Sequence, residues 1–265
     1  HGLLQPLADV IKLITKEGVV PPHVNKLFYL LAPFLAVMFS LLAISIIPFG
    51  DEIEIAGYRT WLQLTDINVG VLFILAASSM GVYGIVLAGW SSNNKYAMLG
   101  GIRSSAQMIS YELSLGLCFA IAILLGNSMN LNEIVNAQKD MWFAVIQPAG
   151  ALVFMVVTLA EVNRAPFDMP EAEQELTAGY HAEYSGMKFA LFFMAEYQKM
   201  IVICMIAATL YFGGYREFWF LKDTIFSVDR YWFLGPIYML LKVIVLLFFM
   251  IWIRATWPRI RYDRL

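Results

Sequence analysis

Residues 68–90 read NVGVLFILAASSMGVYGIVLAGW, a stretch without one charged side chain. A helix needs about 20 mainly apolar residues to cross the roughly 30 Å hydrocarbon core of a bilayer. Backbone polar groups inside lipid must be hydrogen-bonded within the segment itself, so a run of this kind is expected to be helical. The stretch therefore predicts a membrane-spanning helix.

Five further apolar runs of similar length surround this stretch, at residues 27–48, 107–126, 142–161, 187–212 and 233–254. Over all 265 residues, 60% are apolar and 14% are charged, which is more apolar than a soluble core requires. We therefore predict an all-α polytopic membrane protein with six spanning helices, forming one membrane domain over residues 1–265. Prolines inside two spans predict kinks, and glycines inside several spans predict close helix contacts: Pro33 and Pro148, and Gly81, Gly84, Gly116 and Gly150.

The N-terminal segment is amphipathic. One helical face over residues 1–17 carries Leu3, Leu7, Val10, Ile11 and Ile14, and the pattern ends at Gly18 and Pro21. This favours an interfacial helix within residues 1–20, lying along the membrane surface. A surface helix packed on another protein fits the pattern equally well.

Composition argues against several classes of function. The net charge of −2 gives no basic field for nucleic acid. Cys118 and Cys204 lie in apolar runs without metal-ligand spacing, and the three histidines are too few and too scattered for haem ligation. No phosphate loop or nucleophile motif occurs. We expect neither a metal site nor a cofactor bound by this chain, and no covalent catalysis by the chain alone.

The segment 161–186 is the most acidic part of the chain and joins two apolar runs. It holds six carboxylates and one arginine: Glu161, Asp168, Glu171, Glu173, Glu175, Glu183 and Arg164. Close carboxylates titrate as a coupled set, so this acidic segment is predicted to exchange protons near neutral pH, with Arg164 as the counter-charge.

Structural roles for the acidic segment remain open. Asp168 and Glu171 resemble a helix capping box, and an acidic run can also be a merely solvated loop. His181 is expected either to titrate near neutrality or to be an ordinary hydrogen-bonded loop histidine.

Four ionisable residues lie within apolar runs: Glu112, Glu196, Lys199 and Lys242. A charge at the centre of a bilayer costs about 2.5–3.5 kcal/mol on insertion scales, so each needs a partner, water or a function. Glu196 and Lys199 are spaced i and i+3, and they either neutralise each other or serve function. Glu112, near the start of its span and without a charged neighbour at helical spacing, is the stronger proton-carrier candidate.

Lysine and arginine counts predict the orientation. Eleven of these residues fall on the side of the N-terminal segment, the 91–106 and 161–188 loops and the C-terminal tail, whereas five fall in the opposite loops. The positive-inside rule therefore places the acidic segment on the cytoplasmic side, or on the matrix side if the membrane is mitochondrial.

Several motifs together resemble one protein family. They are EVNRAPFD at 161–168, EAEQEL at 171–176, EYSGMKFA at 183–190, GLLQPLAD at 2–9, GWSSNNKY at 89–96, QMISYE at 107–112 and RATWPR at 254–259. These residues resemble the H subunit of NADH:quinone oxidoreductase, respiratory complex I, over essentially the whole chain. That family normally has one further span before and one after the residues matched here.

The resemblance implies an eight-span membrane protein that helps to form a quinone chamber and holds no redox centre of its own. FMN and iron–sulfur clusters would belong to partner subunits, and quinone would be the substrate. Proton coupling would involve Glu112, Glu161, Asp168, Glu171, Glu173, Glu175, Glu183, Glu196 and Lys199. Quinone binding would involve Gln5, Lys16, Arg164 and Phe167.

The implied partners are hydrophilic quinone-site subunits, antiporter-like membrane subunits and the lipid bilayer. The implied location is the bacterial inner membrane rather than the mitochondrial one. Two alternatives stay open: a homologous component of a membrane-bound hydrogenase or ferredoxin-driven complex, and a stand-alone proton-coupled transporter with a midplane site at Glu112 and Glu196.

Overall fold

A computed structural model describes residues 2, 4–55, 58–168, 179–218, 228, 231–258 and 260. Within these ranges, five helices are long and apolar enough to cross a membrane: Lys26–Ile46, Gly70–Ser91, Lys95–Gly126, Met187–Tyr211 and Leu234–Thr256. Pro148–Glu161 is a sixth, shorter apolar helix. The predicted all-α membrane fold is confirmed.

The elements follow in a simple order. α1 is Gln5–Thr15, and α2 is Lys26–Leu42 with a 3₁₀ turn at Ala43–Ile46 after it; β1 (Glu52–Ile55) and β2 (Tyr58–Trp61) come next. α3 is Gly70–Ser91, α4 is Lys95–Gly126, α5 is Leu131–Ala137, α6 is Phe143–Ile146 and α7 is Pro148–Glu161. A 3₁₀ turn at Gly179–His181 precedes α8 (Met187–Tyr211) and α9 (Leu234–Thr256).

A small β-hairpin between α2 and α3 is absent from the sequence prediction. Its two strands are antiparallel, with Glu52 opposite Trp61 and Ile53 opposite Thr60. The alternation of charged and apolar residues in Glu52–Ile55 is typical of a strand. Each strand has only four residues, which is too short for periodicity to stand out beside the long apolar runs.

Helix α4 is longer than its predicted span of 107–126, because residues 95–106 are helical rather than a loop. Its 32 residues correspond to about 48 Å, more than the hydrocarbon core requires. The Asn94 side chain caps the start by accepting a hydrogen bond from the backbone N–H of Tyr96 at 2.9 Å. Gly100 and Gly101 do not break the helix, since each packs closely against a neighbouring backbone.

The predicted span 142–161 is two helices rather than one kinked helix. α6 ends at Ile146, Gln147 has non-helical dihedral angles, and Pro148 occupies the first turn of α7. Proline lacks the N–H that would continue the preceding helix but suits a helix start. α7 alone has 14 residues and spans about 21 Å, less than the bilayer core.

The helices pack around an aromatic core and expose apolar side chains outward. The Phe154 ring lies 4.9 Å from that of Tyr211 and 6.0 Å from that of Phe119, and the Tyr211 hydroxyl donates to the Cys118 carbonyl at 2.8 Å. Large apolar side chains cover the outside of the spans, including Leu113 at 74% exposure. A bundle of this kind suits a surrounding lipid phase.

The N-terminal helix α1 lies within the predicted segment 1–20 and buries none of its residues. Its apolar face, with Leu7, Val10, Ile11 and Ile14, is exposed, as an interfacial helix requires. The chain after α1 is attached to the loop before α8, where the Val19 amide donates to the Ser185 hydroxyl at 3.2 Å.

The span glycines differ in what surrounds them. A Cβ atom at Gly84 would stand 2.9 Å from the Ala36 backbone nitrogen, and one at Gly150 would stand 3.0 Å from Ile121. The close contact predicted at Gly116 is not observed, because no described atom lies within 4 Å of a Cβ there. A side chain at Gly84 would therefore clash with the backbone of α2, so the contact between α2 and α3 is sensitive to substitution there.

This difference gives a paired test. Gly84→Ala should destabilise the bundle by about 1–3 kcal/mol, because the clash is with backbone that cannot move aside cheaply. Gly116→Ala should be neutral or stabilising, since alanine is the better helix former and meets nothing. The measurement is the yield of folded protein in mild detergent and its thermal midpoint; equal behaviour of the two variants would contradict the packing described.

Candidate functional site

Two ion pairs join the end of α7 to α8. The Lys199 Nζ atom lies 2.9 Å from Glu161 Oε1, and the Arg164 Nη2 atom lies 2.7 Å from Glu196 Oε2. Residues 161 and 164 are three apart, and so are residues 196 and 199. The first residue of one set pairs with the last residue of the other, so the two sets run antiparallel. The acid is Glu161 in one pair and Glu196 in the other.

The pairing corrects one expectation from the sequence. Lys199 does not neutralise Glu196 within α8; its carboxylate partner is Glu161 on the neighbouring helix. Glu161 is 2% exposed, so its charge depends on this partner. Arg164 pairs with Glu196 of α8, which lies outside the acidic segment, so its role as the counter-charge of that segment stays a prediction.

A tyrosine hydroxyl and a tyrosine ring also contact the Arg164–Glu196 pair. The Tyr180 hydroxyl donates to Glu196 Oε1 at 3.3 Å, and the Arg164 guanidinium lies 5.0 Å from the centre of the Tyr197 ring. Both oxygens of the Glu196 carboxylate are therefore contacted, and Arg164 is held over an aromatic face.

A cavity opens beside these ion pairs, between α2, α3, α4 and α8. Its empty volume, counted to its open mouth, is about 820 Å³. Most of its wall is apolar, and the polar side chains that line it are Ser40, Ser78, Glu161, Asn163, Tyr180, Glu196 and Lys199. Both paired carboxylates and the lysine therefore face a space large enough to admit water.

Glu112 lies in the middle of α4 rather than at the start of a span, since α4 begins at Lys95. Its carboxylate accepts a hydrogen bond from the Ser79 hydroxyl of α3. It also acts electrostatically on Glu161 across the gap between α4 and α7. Glu112 therefore lies near enough to the Glu161–Lys199 pair to influence it electrostatically, which sequence spacing did not reveal.

Gln107 fixes the chain that follows α7. Its side-chain amide donates to the carbonyls of Ala160 at 2.9 Å and Phe167 at 2.8 Å. Phe167 is buried, and its ring lies 5.7 Å from that of Tyr111. The sequence analysis missed Gln107, although a glutamine inside a span is a recognisable signal that backbone groups need a partner.

The loop before α8 forms a second, partly buried polar group. Glu183 accepts a hydrogen bond from the Asn94 side chain at 2.7 Å, and the rings of Tyr29 and Tyr184 stack at 4.1 Å. Burial raises the pKa of the Tyr184 phenol above its usual range, partly offset by its contact with Ser91. These contacts tie the loop to α2 and α4.

His181 behaves unlike either sequence expectation. Its imidazole is buried, and its Nδ1 atom makes no hydrogen bond among the described residues. Burial lowers the pKa of His181 to about 4, so the ring is neutral around pH 7. It lies edge-on to the rings of Tyr180, Phe189 and Phe193, which makes it an apolar packing residue.

The remaining predicted residues lie elsewhere. Gln5 and Lys16 are exposed, and the Gln5 amide donates to Asp9 at 3.2 Å within α1. Asp168 ends the described part of the acidic segment, whereas Glu171, Glu173 and Glu175 lie outside the described residues. The proposed capping box and the coupling among those acids therefore stay predictions.

Lys242 is a buried charge at the other end of the bundle. Its ammonium donates to the carbonyls of Gly214 at 2.9 Å and Arg216 at 2.6 Å, and lies 5.0 Å from the centre of the Trp142 ring. Arg216 in turn lies 3.6 Å from Asp51. The lysine was recognisable in the sequence; its carbonyl partners, in the turn after α8, were not.

Among the described residues, no group of three or more histidine, cysteine or acidic side chains is arranged to hold a metal ion. The ionisable groups that line the cavity are instead two carboxylates, one lysine and a tyrosine. Carboxylates and a lysine placed together in this way can hold and exchange protons.

Comparison with known proteins identifies the family. A profile of the NADH dehydrogenase family matches residues 1–265. One H subunit of NADH-quinone oxidoreductase from Solibacter usitatus is 46% identical, over the whole chain and 80% of the relative. The corresponding protein of Koribacter versatilis is 50% identical, over the whole chain and 78% of the relative. That of Geobacter sulfurreducens is 48% identical, over the whole chain and 76% of the relative.

Matches at this identity extend over the whole chain. With its bundle of apolar helices, this chain is a multi-pass membrane protein that belongs to the H-subunit family of NADH-quinone oxidoreductase.

Proposed function

We propose that this protein couples the reduction of quinone to proton translocation through a chain of carboxylates. The observation that carries the proposal is the paired arrangement of Glu161 with Lys199 and of Arg164 with Glu196 at one cavity. Buried ion pairs seldom increase stability over apolar packing, so their presence favours a functional role. The members of the chain are Glu112, Glu161, Glu196 and Lys199.

A proton arriving at the cavity changes the balance of both pairs. Protonation of Glu161 would remove the negative charge that holds Lys199, and the ammonium would then be attracted to the nearest remaining carboxylate, Glu196 on its own helix. Arg164 would compete for the same carboxylate. Each protonation event therefore shifts the free energy of the next, which is the requirement for directed proton transfer.

The acidic segment is proposed to sense the charge on the quinone. Two electrons arriving on quinone create negative charge, which favours protonation of nearby carboxylates. Asp168, Glu171, Glu173, Glu175 and Glu183 would respond in this way and pass protons toward Glu196 and Glu112. Asn94 and Gln107 support the proposal by fixing the two described ends of the segment to α4.

The quinone chamber is proposed to lie where this chain meets its hydrophilic partner subunits, with Gln5, Lys16, Arg164 and Phe167 contributing to it. FMN and iron–sulfur clusters in partner subunits would supply the electrons, and antiporter-like membrane subunits would receive the proton signal. The relatives named above are bacterial, which supports placement in a bacterial inner membrane.

Replacement of Glu112 tests the carboxylate chain. Glu112→Gln keeps the shape of the side chain and removes its titration. We expect proton pumping and quinone-dependent NADH oxidation to fall by about a hundredfold, the lower part of the range for a positioned proton-transfer group. Pumping is measured with a pH-sensitive dye in membrane vesicles, and oxidation by NADH absorbance.

Glu133→Gln is the matched control for Glu112→Gln, because Glu133 is an exposed carboxylate in the first turn of α5. It should leave both activities unchanged. NADH oxidation by a hydrophilic artificial acceptor should stay normal in both variants, since it bypasses the quinone. Loss of that activity in Glu112→Gln would indicate failed assembly, and normal pumping would remove Glu112 from the chain.

The Glu161–Lys199 pair allows stability to be separated from proton transfer. Glu161→Gln leaves a buried, uncompensated ammonium and should destabilise the protein by about 3–5 kcal/mol. The double variant Glu161→Gln with Lys199→Met removes both charges and should regain stability but not pumping. The amount of this chain in the membrane and the thermal midpoint of the purified complex measure the first effect.

Asp51→Asn serves as the control for this pair. It removes the carboxylate partner of Arg216 at the other end of the bundle, but Arg216 keeps its hydrogen bond to Asn136. Asp51 is also partly exposed, so the loss of stability should be about 1 kcal/mol or less.

Full pumping by the double variant Glu161→Gln with Lys199→Met would show that the Glu161–Lys199 pair is structural.

A further inference from the structure

A second pocket lies between α7, α8 and α9. Its empty volume is about 530 Å³, and its wall includes Arg164, Arg254, Tyr197, Met200, Met250 and Ile251. Arg164 follows the end of α7, and Arg254 lies in the last turn of α9. The pocket is therefore at the level where these helices leave the apolar layer, on the side of the acidic segment.

The charge of this pocket is entirely positive. Both charged side chains in its wall are arginines. Arg164 is already held by Glu196, whereas Arg254 pairs with no carboxylate among the residues that the structure describes. Arginine keeps its charge at every physiological pH, so the exposed Arg254 presents a permanent positive charge at this pocket.

The rest of the pocket wall is apolar and continues onto the outside of α9. Met200, Met250 and Ile251 line the pocket, and Ile251 is also an exposed residue of that helix. A free inorganic anion would gain nothing from such a wall. An amphiphile with an anionic head and hydrocarbon chains would use both parts.

We propose that this pocket binds the phosphate group of an anionic membrane phospholipid. The guanidinium groups of Arg254 and Arg164 would contact the phosphate, and the acyl chains would lie along the exposed side of α9 at Ile251. Basic pockets between spanning helices on the positive-inside face bind lipid head groups of this chemistry. A zwitterionic phospholipid fits less well, because its own ammonium group would face two arginines.

A phospholipid bound in this pocket would also affect the proton path, an effect that rests on the proposed function. The phosphate would compete with Glu196 for the guanidinium of Arg164. A weaker Arg164–Glu196 pair would make the Glu196 carboxylate easier to protonate, and by linkage the protonation state of Glu196 would alter lipid affinity. The head-group composition of the membrane would thus bias coupling.

The test uses the whole purified complex in nanodiscs of phosphatidylcholine, without turnover. A trace of photoactivatable phosphatidylglycerol or, separately, of photoactivatable phosphatidylcholine is added, and cross-linked peptides are mapped by mass spectrometry. We expect the phosphatidylglycerol probe to label the peptide containing Met250 and Arg254 about fivefold more than the other probe, as one added charge contact implies. Unlabelled phosphatidylglycerol should compete, and inorganic phosphate should not.

Two variants locate the interaction. Arg254→Gln should lower labelling of this peptide about fivefold, whereas Arg254→Lys, which keeps the charge, should retain most of it. Lys95→Gln is the matched control, because Lys95 is an exposed cation at the start of α4 and outside the pocket. Its labelling should equal that of the unmodified complex.

Three results would overturn the proposal: equal labelling by both probes, displacement of the probe by inorganic phosphate, or equal labelling of Arg254→Gln and Lys95→Gln. The first two use only the unmodified complex, so they decide the matter even if a variant fails to assemble. Labelling requires no electron transfer, so failure of the lipid site and failure of the proton-coupling proposal would be seen separately.

Discussion

The electrostatic attraction between α7 and α8 is the interaction on which the site depends. A carboxylate as buried as Glu161 is tolerated in an apolar bundle only when an opposite charge lies beside it, and Lys199 provides that charge at 2.9 Å. The Arg164–Glu196 pair repeats the arrangement one turn nearer the acidic segment, with acid and base exchanged. These two contacts hold the end of α7 and the residues after it against α8, beside the cavity.

This arrangement also makes the site responsive. Four charges in alternating sign have zero net charge, so they can be buried together at moderate cost, yet adding or removing one proton leaves an unbalanced charge that its neighbours must accommodate. A cavity on one side allows water to take part in that response. A single neutral hydrogen-bonded network at the same place would hold the helices equally well but would respond far less to protons.

Sequence alone predicts the spans well, since the apolar runs are helical in the structure. Each ionisable residue within a span can also be recognised from its residue type. It does not predict partners across helices: the i, i+3 spacing suggested a Glu196–Lys199 pair, while tertiary packing brings Glu161 to the lysine. The extension of α4 to Lys95 depends on the Asn94 cap and on the packing of glycines in this part of the helix. Neither feature can be recognised from the polar composition of residues 95–106. For His181, burial among aromatic rings overrides the ordinary titration of histidine.

The two ends of the bundle surround a buried lysine in different ways. Lys199 faces a carboxylate, which can take up a proton and so release the lysine. Lys242 faces backbone carbonyls and an aromatic ring, which hold its charge but cannot accept a proton near neutral pH. The first environment includes a group that can change its charge, whereas the described hydrogen bonds of Lys242 tie the turn after α8 to α9.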